Sequence, residues 1–422
     1  MKKIVSILLL LIIASSLYAN ELSLSEILKI FEKNSTNEAK KAVYDKIQNL
    51  ELENLNTEYY PKLNLVGQAQ YQSEAFSLPI NIPLITLPKI PLAQYYSAIE
   101  VEQLVFDGLS ISRSKDIVES KEKINKISNE AEKLKIKENI IKLYFGILIF
   151  QKQIDINNTA VNDLNSKLKQ FQSMYDNGVL LKTAINQVQI EILRRQEDLI
   201  KIQKDISTLK SSLKQICGLE NAFFDVSVPQ TIDYSQINFD KRPEMLLFTA
   251  NDELIDKNKS LVNSNYLPKL SVFAKYGYGS PNPNNFMKTG FSTFYNVGIR
   301  LKWEIFDWNK NFHSKEILDY NTEIVNYDRI NFLRNINSQV IEEQNNIEKY
   351  EENLKKDEDI ANIQEDIIKE SYSQLSNGVI TMTDYIINYN NLQRTKLNIE
   401  IDKILKLESI YNLQIKTNSE LK

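Results

Sequence analysis

The chain has 422 residues, a formal net charge of −4 and a single cysteine, Cys217. The negative charge argues against a nucleic-acid partner, which requires a basic face, and one cysteine excludes an intrachain disulfide. Gly and Pro occur only ten times each, which is typical of long helices. Beyond the N-terminus no apolar run reaches the length of a transmembrane helix, so any insertion into a membrane must use strands.

The N-terminus has the three parts of a secretory signal peptide. Lys2 and Lys3 supply the positive charge, residues 4–13 form an apolar core, and Leu17-Tyr18-Ala19 resembles a cleavage site. The apolar core is too short, at roughly 10 residues, to span a bilayer. We therefore predict that residues 1–19 are a signal peptide, whose loss removes two Lys and no acids and brings the net charge to −6.

Short motifs recur along the chain at a nearly constant interval. Val105-Phe106-Asp107 returns as Ile305-Phe306-Asp307, and Asn177-Gly178-Val179 returns as Asn377-Gly378-Val379, in both cases 200 residues later. A third pair, 207 residues apart, is Pro61-Lys62-Leu63 and Pro268-Lys269-Leu270. This recurrence predicts two structural repeats.

Each repeat is expected to contain a helix, a β-hairpin, a long helix, a tip and a further helix. We place the first repeat at 20–217, a linker at 218–242, the second repeat at 243–415 and a tail at 416–422. In the first repeat the opening helix covers 24–59, and the hairpin, long helix, tip and last helix cover 61–106, 108–177, 177–183 and 184–217. In the second repeat the hairpin, long helix, tip and last helix cover 268–306, 308–377, 377–383 and 384–415.

The hairpin strands alternate between apolar and polar residues, which gives each strand two different faces. On the apolar face, expected to contact lipid, we place Ile99, Val101, Val297, Ile299, Leu301 and Trp303. On the opposite face, expected to line a wet lumen, we place Glu100, Glu102, Arg300, Lys302 and Glu304. A soluble sandwich would alternate in the same way. The signal peptide, the strand length of about 9 to 11 residues and the flanking aromatic residues favour an outer-membrane barrel.

The loops within the hairpins are not strand, because proline cannot donate ladder hydrogen bonds. The first loop contains Pro79, Pro83, Pro88 and Pro91, and the second contains Ser280-Pro281-Asn282-Pro283. We expect both on the extracellular side. The first is either a packed surface cap or a binding loop.

The predicted long helices have about 70 residues, or roughly 105 Å at 1.5 Å per residue. The helices at 24–59 and 184–217 together match that length, so we expect them to stack end to end beside the first long helix. A heptad seam supports the pairing: it comprises Ile192, Leu199, Ile202, Ile206, Leu209, Leu213 and Ile216. The linker at 218–242 should form an irregular belt around their junction.

Four strands from one chain cannot close a barrel, since barrels of this type begin at about eight strands. Open edges are prohibitively costly in lipid, so the chain must oligomerise. A dimer would give 8 strands with an interior filled by side chains, whereas a trimer would give 12 strands and room for a lumen. The charged face favours the trimer.

These motifs, in order and twice over, resemble the TolC-like outer-membrane efflux proteins across nearly all of the mature sequence. The resemblance is carried by Tyr60-Pro61-Lys62-Leu63 and Leu267-Pro268-Lys269-Leu270, by Arg242-Pro243-Glu244, by Val105-Phe106-Asp107-Gly108 and Ile305-Phe306-Asp307-Trp308, and by tips in which Gly-Val is followed by Thr183 or Thr383.

The resemblance implies a mainly α fold with a small transmembrane β part. It implies a homotrimer in the outer membrane, with a 12-stranded barrel continuous with an α-helical tunnel in the periplasm. It also implies a periplasmic adaptor that contacts the tips and links the channel to an inner-membrane transporter. The expected tip contacts are Asn177, Gly178, Val179, Thr183, Asn377, Gly378, Val379 and Thr383.

The resemblance further implies an acidic constriction just beyond the second tip. Asp384 matches the first acidic position of the family, but Ile387 occupies the second, and Ala184 stands where the first tip of the family often has Asp. We therefore expect a single ring of Asp384 at the pore entrance. The alternative is that Asp384 is simply a solvated helix residue.

No catalytic constellation, cofactor motif or metal site is predicted. The only histidine, His313, has no second histidine or nearby cysteine with which to hold a metal. The function that the resemblance implies is that of an outer-membrane exit duct for small molecules such as drugs, the more frequent cargo in the family. The alternatives are the outer-membrane channel of a type I protein secretion system and a non-conducting coiled-coil protein of the envelope.

Overall fold

A computed structural model of the chain describes residues 20–75, 89–219, 224–232, 237–285 and 287–417. The predicted signal peptide at 1–19, the loop residues Pro79, Pro83 and Pro88, parts of the linker and the last five residues of the tail lie outside the described residues.

The described residues form seven helices and six strands. The helices are α1 (Leu24–Asn34), α2 (Asn37–Thr57), α3 (Ser110–Asp176), α4 (Lys182–Cys217), α5 (Pro243–Ser264), α6 (Lys310–Ser376) and α7 (Met382–Lys416). The strands are β1 (Asn20–Leu22), β2 (Lys62–Tyr71), β3 (Ala93–Phe106), β4 (Phe224–Val226), β5 (Lys269–Ser280) and β6 (Ser292–Lys302). Among these residues no helix is both long and apolar enough to cross a membrane.

The chain divides into two compact units. The helical unit comprises the described residues of Met1–Glu38, Asn129–Met245 and Ile330–Lys422, and the strand unit comprises those of Ala39–Ser128 and Leu246–Arg329. Both repeats contribute to both units, because each repeat supplies one hairpin to the strand unit and one helical tip to the helical unit.

The long helices of the two repeats have the same length. Helices α3 and α6 each contain 67 residues and begin 200 positions apart, as the recurring motifs predict. Each begins two residues later than expected, because Gly108 and Leu109, and likewise Trp308 and Asn309, adopt positive φ angles that interrupt the helix. The preceding carboxylates cap the first turns: Asp107 accepts from the backbone N–H of Ile111, and Asp307 accepts from that of Asn311 at 2.9 Å.

The single helix expected at 24–59 is wrong, since the chain breaks between α1 and α2. The break falls in the run Asn34-Ser35-Thr36-Asn37, whose short polar side chains compete with the helix for backbone groups. Asn34 Nδ2 donates to the carbonyl oxygens of Cys217 and Gly218, at 3.1 and 2.9 Å, and so caps the end of α4. Asn37 and Asn129 bond reciprocally to each other's backbone carbonyls.

One aromatic and aliphatic cluster of the helical unit joins helices α1, α3, α4 and α7. Its fully buried members include Ile27, Ile140, Tyr144, Phe145, Leu213 and Cys217. The Phe145 ring lies 5.8 Å from that of Tyr144 and 5.6 Å from that of Tyr411, which joins α3 to α7. Burial raises the pKa of the Cys217 thiol to about 12, so this cysteine is a packing residue.

The linker contributes a strand where an irregular belt was expected. Within it, β4 pairs in parallel with β1, with Glu21 opposite Asp225 and Leu22 opposite Val226. The Tyr144 hydroxyl lies 2.5 Å from the carbonyl oxygen of Ser227, directly after β4. The pairing joins segments about 200 residues apart in sequence, so no local pattern could indicate it.

The Asn34 cap generates the first prediction. Asn34→Ala should lower the thermal midpoint of helix unfolding, because it removes two hydrogen bonds worth roughly 0.5–1.5 kcal/mol each. Circular dichroism in detergent measures the midpoint. Asn165→Ala, at an exposed position of α3, is the matched control and should leave the midpoint nearly unchanged. Equal midpoints for the two variants would contradict the cap.

Candidate functional site

The strand unit contains one four-stranded antiparallel sheet in the order β2-β3-β5-β6. The pairing places Leu63 opposite Val101, Val101 opposite Ala274 and Ala274 opposite Val297. Residues of one parity therefore share a face across all four strands. Strands β2 and β6 each have one edge without a partner strand in the described sheet.

One face of this sheet carries no charged residue. It includes Ile99, Val101, Val297, Ile299 and Leu301, the residues predicted to face lipid. Val297 and Ile299 are 76% and 72% exposed in the single chain, and Leu65 on β2 is 78% exposed. Such a continuous apolar surface requires a cover of lipid or protein.

The opposite face carries all the charge of the four strands. Arg300 Nη1 donates to Glu102 Oε1 at 2.9 Å, and the Ser271 hydroxyl donates to the same oxygen at 2.8 Å. The Arg300 guanidinium also lies 4.9 Å from the centre of the Phe273 ring. The structure thus brings together four of the residues predicted to line a lumen, namely Glu100, Glu102, Arg300 and Lys302.

Sequence reasoning missed three basic residues on this polar face: Lys62, Lys269 and Lys275. Lys62 is opposite Glu102, Lys275 is opposite Glu100, and Lys269 is opposite Lys302. The alternation between apolar and polar residues continues in β2 and β5 from the two Pro-Lys-Leu motifs, and it places these three lysines on the polar face. The residues assigned to faces from the sequence came only from β3 and β6.

The expected fourth strand is too long. β6 ends at Lys302, which pairs with Lys269, the first residue of β5. The next partner would be Pro268, which has no N–H to donate. Trp303 and Glu304 therefore lie beyond the strand, and alternation no longer assigns them to a lipid face and a lumen face. Trp303 Nε1 instead donates to the carbonyl oxygen of Tyr266 at 3.1 Å.

The two tips, defined as residues 177–183 and 377–383, end α3 and α6 in the same way. Gly178 and Gly378 adopt φ angles of +79° and +71°. The N–H of Val179 bonds to the carbonyl of Met174 at 2.8 Å, and that of Val379 bonds to the carbonyl of Gln374 at 2.9 Å. This is a Schellman helix end, which favours glycine at the left-handed position.

The side chains of both tips are available for contact. Val179 and Val379 are exposed, and no atom outside the immediate neighbours lies within 4 Å of a Cβ built on either glycine. Asn177 and Asn377 each donate from Nδ2 to the backbone carbonyl four residues earlier. Thr183 is exposed, while Thr383 Oγ1 accepts from Gln187 Nε2 at 3.0 Å and so links α7 to α4.

The helices that follow the tips begin differently. Helix α7 has a capping box: Thr381 Oγ1 accepts from the Asp384 N–H at 3.2 Å, and Asp384 Oδ2 accepts from the Thr381 N–H at 2.9 Å. Helix α4 has Leu181 at the equivalent position, with no side-chain cap. Ala184 packs into a buried cluster, whereas Asp384 is exposed.

Hydrogen bonds from the Thr381 hydroxyl, and then from its N–H, hold the pKa of Asp384 below its usual value. The carboxylate therefore stays charged at neutral pH. Its capping role explains why an acid occupies this position even in the absence of any pore. The exposed Asp384 carboxylate also presents its charge to solvent. Ile387, one turn further along α7, is exposed as well.

Compared by sequence, the chain matches no protein-family profile and no curated protein at a significant level. Compared by structure, it is similar to the outer membrane protein VceC of Vibrio cholerae, with a TM-score of 0.71 and 12% identity over 94% of this chain and 97% of that one. It is similar to the CmeC outer membrane channel of Campylobacter jejuni, with a TM-score of 0.67 and 13% identity over 93% and 85%.

A third match is the MtrE outer membrane channel of Neisseria gonorrhoeae in its open state, with a TM-score of 0.66 and 11% identity over 94% and 89% of the two chains. Each match spans nearly the whole of both proteins. The chain therefore has the protomer fold of outer-membrane channels, which confirms the mainly α fold with a small β part implied by the resemblance to TolC-like proteins.

The unequal caps generate the second prediction. Thr381→Val should speed hydrogen exchange in the first turn of α7, because it removes the hydroxyl of the capping box. Leu181→Thr should slow exchange in the first turn of α4, since it supplies the missing acceptor. Hydrogen-exchange mass spectrometry measures both tips in one sample. The account of the caps is wrong if both variants change exchange in the same direction.

Proposed function

We propose that the protein is the outer-membrane exit duct of a tripartite export system and passes small molecules such as drugs to the cell exterior. The observation that carries the proposal is that all charged residues of the four strands lie on one face of the sheet, while the other face has none. This division suits lipid on one side and water on the other. The channel fold of the matched structures supports the same location in the outer membrane.

The duct is proposed to be a homotrimer. Three copies would join their four-stranded sheets through the open edges of β2 and β6 into one 12-stranded barrel. Exposed apolar side chains also follow helical spacing on two helices of the strand unit. They are Val43, Ile47 and Leu50 on α2, and Ile317, Tyr320, Ile324 and Tyr327 on α6. Such stripes suit helix packing between copies.

The proposed partners are a periplasmic adaptor at the tips and, through it, an inner-membrane transporter. Exposed Val179 and Val379 on rigid Schellman turns support a docking role for the tips. The frequency of small-molecule export among TolC-like proteins favours that cargo over secreted protein.

Reconstitution tests the duct. The mature chain should migrate as a trimer in mild detergent and produce stepwise ion conductance in planar bilayers. A water-soluble monomer would refute the proposal. Trimers that insert into bilayers without conducting would favour a structural envelope protein.

The proposed Asp384 ring generates a third prediction. Asp384→Asn should weaken the block of conductance by Mg²⁺, because ringed carboxylates concentrate cations at a constriction. The variant keeps an oxygen that can accept the cap hydrogen bonds. Thr381→Val is the matched control, since it disrupts the cap and retains the charge. If Thr381→Val weakens the Mg²⁺ block as much as Asp384→Asn does, or if neither variant changes the block, the charge of Asp384 does not control conduction at the entrance.

The tips generate a fourth prediction. Gly178→Val or Gly378→Val should impair export while leaving trimers intact, because a β-branched residue in the left-handed region is strained by roughly 1–2 kcal/mol or more. Survival of the native host on toxic small molecules measures export, and native electrophoresis measures trimers. Gly290→Val, at an open position without positive φ, is the control. Normal export by both tip variants would contradict the docking role.

A further inference from the structure

The polar face of the sheet has an excess of positive charge. Across β2, β3, β5 and β6 it carries five basic side chains, Lys62, Lys269, Lys275, Arg300 and Lys302, and two acidic ones, Glu100 and Glu102. This excess lies within a chain whose formal net charge is negative. The polar face is thus opposite in sign to the protein as a whole.

Most of the basic side chains of this face line a concavity of about 650 Å³ in the strand unit, bordered by the first residues of β2 and β5 and the last of β6. Each acid that lines it already has a partner. Glu58 bonds to Lys62 at 2.5 Å, and Glu102 bonds to Arg300 at 2.9 Å. Asp107 caps the first turn of α3 through the backbone N–H groups of Leu109 and Ile111.

Two lysines remain in this concavity, Lys269 and Lys302. They occupy directly opposed positions on β5 and β6, where like charges destabilise a sheet. Within the part of the chain that the structure describes, neither has an acidic partner within 4.0 Å. Both side chains are exposed. The fold therefore retains two adjacent positive charges that no acidic side chain of the described residues neutralises.

We propose that this lysine pair makes the duct selective for anions, and that the exported solutes include molecules bearing carboxylate, phosphate or sulfonate groups. The inference rests on the proposed trimeric duct, in which three pairs would surround one lumen. A ring of lysines raises the local concentration of anions and lowers that of cations. Paired lysines also suit oxyanions, since each ammonium supplies three donors.

The reversal potential of the wild-type protein in a planar bilayer under a KCl gradient tests the inference directly. K⁺ and Cl⁻ move at similar rates in water, so the sign of the potential reports which ion the lumen prefers. The wild type should prefer Cl⁻, and Asp384→Asn, which lacks the carboxylates proposed to concentrate cations at the tips, should prefer Cl⁻ more strongly. The preference should be larger near 0.1 M salt, where the Debye length is about 10 Å, than near 1 M, where it is about 3 Å.

A double variant identifies the residues. Lys269→Gln with Lys302→Gln should bring the anion-to-cation permeability ratio down towards that of free solution. Glu58→Gln with Lys62→Gln is the matched control, because it neutralises two charged residues of the same concavity without changing its net charge. The control should keep the wild-type preference for Cl⁻.

The outcomes separate the two proposals. A K⁺ preference that persists in Asp384→Asn, or a double variant as anion-selective as the wild type, would overturn the lysine assignment and leave the duct intact. Absence of conductance from correctly assembled trimers would overturn the duct itself and, with it, this inference. The measurement on Asp384→Asn is decisive even if the double variant does not assemble.

Discussion

The open edges of β2 and β6 are the constraint on which the rest of the structure depends. In water, an unpaired strand edge is a tolerable risk of aggregation. In hydrocarbon, each unpaired N–H or C=O costs several kcal/mol, so a sheet with open edges cannot remain there. The apolar face, with Leu65, Val297 and Ile299 largely exposed, suits a hydrocarbon environment. The chain therefore carries an apolar surface that suits lipid, as proposed, and open strand edges that lipid cannot satisfy. Closure with further copies resolves both requirements at once, and the exposed stripes of α2 and α6 are consistent with such closure.

The sequence predicts well wherever a short period repeats over a long segment. Alternation along β6 assigned Val297, Ile299 and Arg300 to the faces on which they lie, because a strand has a period of two and each step reverses the side chain. The 200-residue recurrence placed both ends of α3 and α6 within two residues. The alternation extends over many positions and the recurrence gives each boundary twice, so an error at a single residue has little effect.

Three features escaped because they depend on a partner or on a break. The pairing of β1 with β4 involves three residues on each side and joins distant segments, so no periodicity marks it. β6 ends at Lys302 because the next partner would be Pro268, which directly precedes β5 and has no N–H to donate. The break after Asn34 lies in four consecutive Asn, Ser and Thr residues, a weaker sign of a helix end than Gly or Pro. Its purpose becomes clear only in three dimensions, where Asn34 caps α4.

The two repeats resemble each other more in the backbone of their tips than in the side chains that follow. The turns at Gly178 and Gly378 match in φ and in hydrogen bonding. Only a few residues later the buried faces differ, since Ala184 is buried where Asp384 is exposed, and Met382 is buried where Lys182 is exposed. An aspartate at position 184 would enter a cluster with Phe171 and Leu164 and would lose its hydration. The first repeat therefore cannot carry an acid at this position without cost, whereas the second can both cap α7 and present a charge. Any gating chemistry at the tips is thus asymmetric within one chain, although the backbones that carry it are nearly identical.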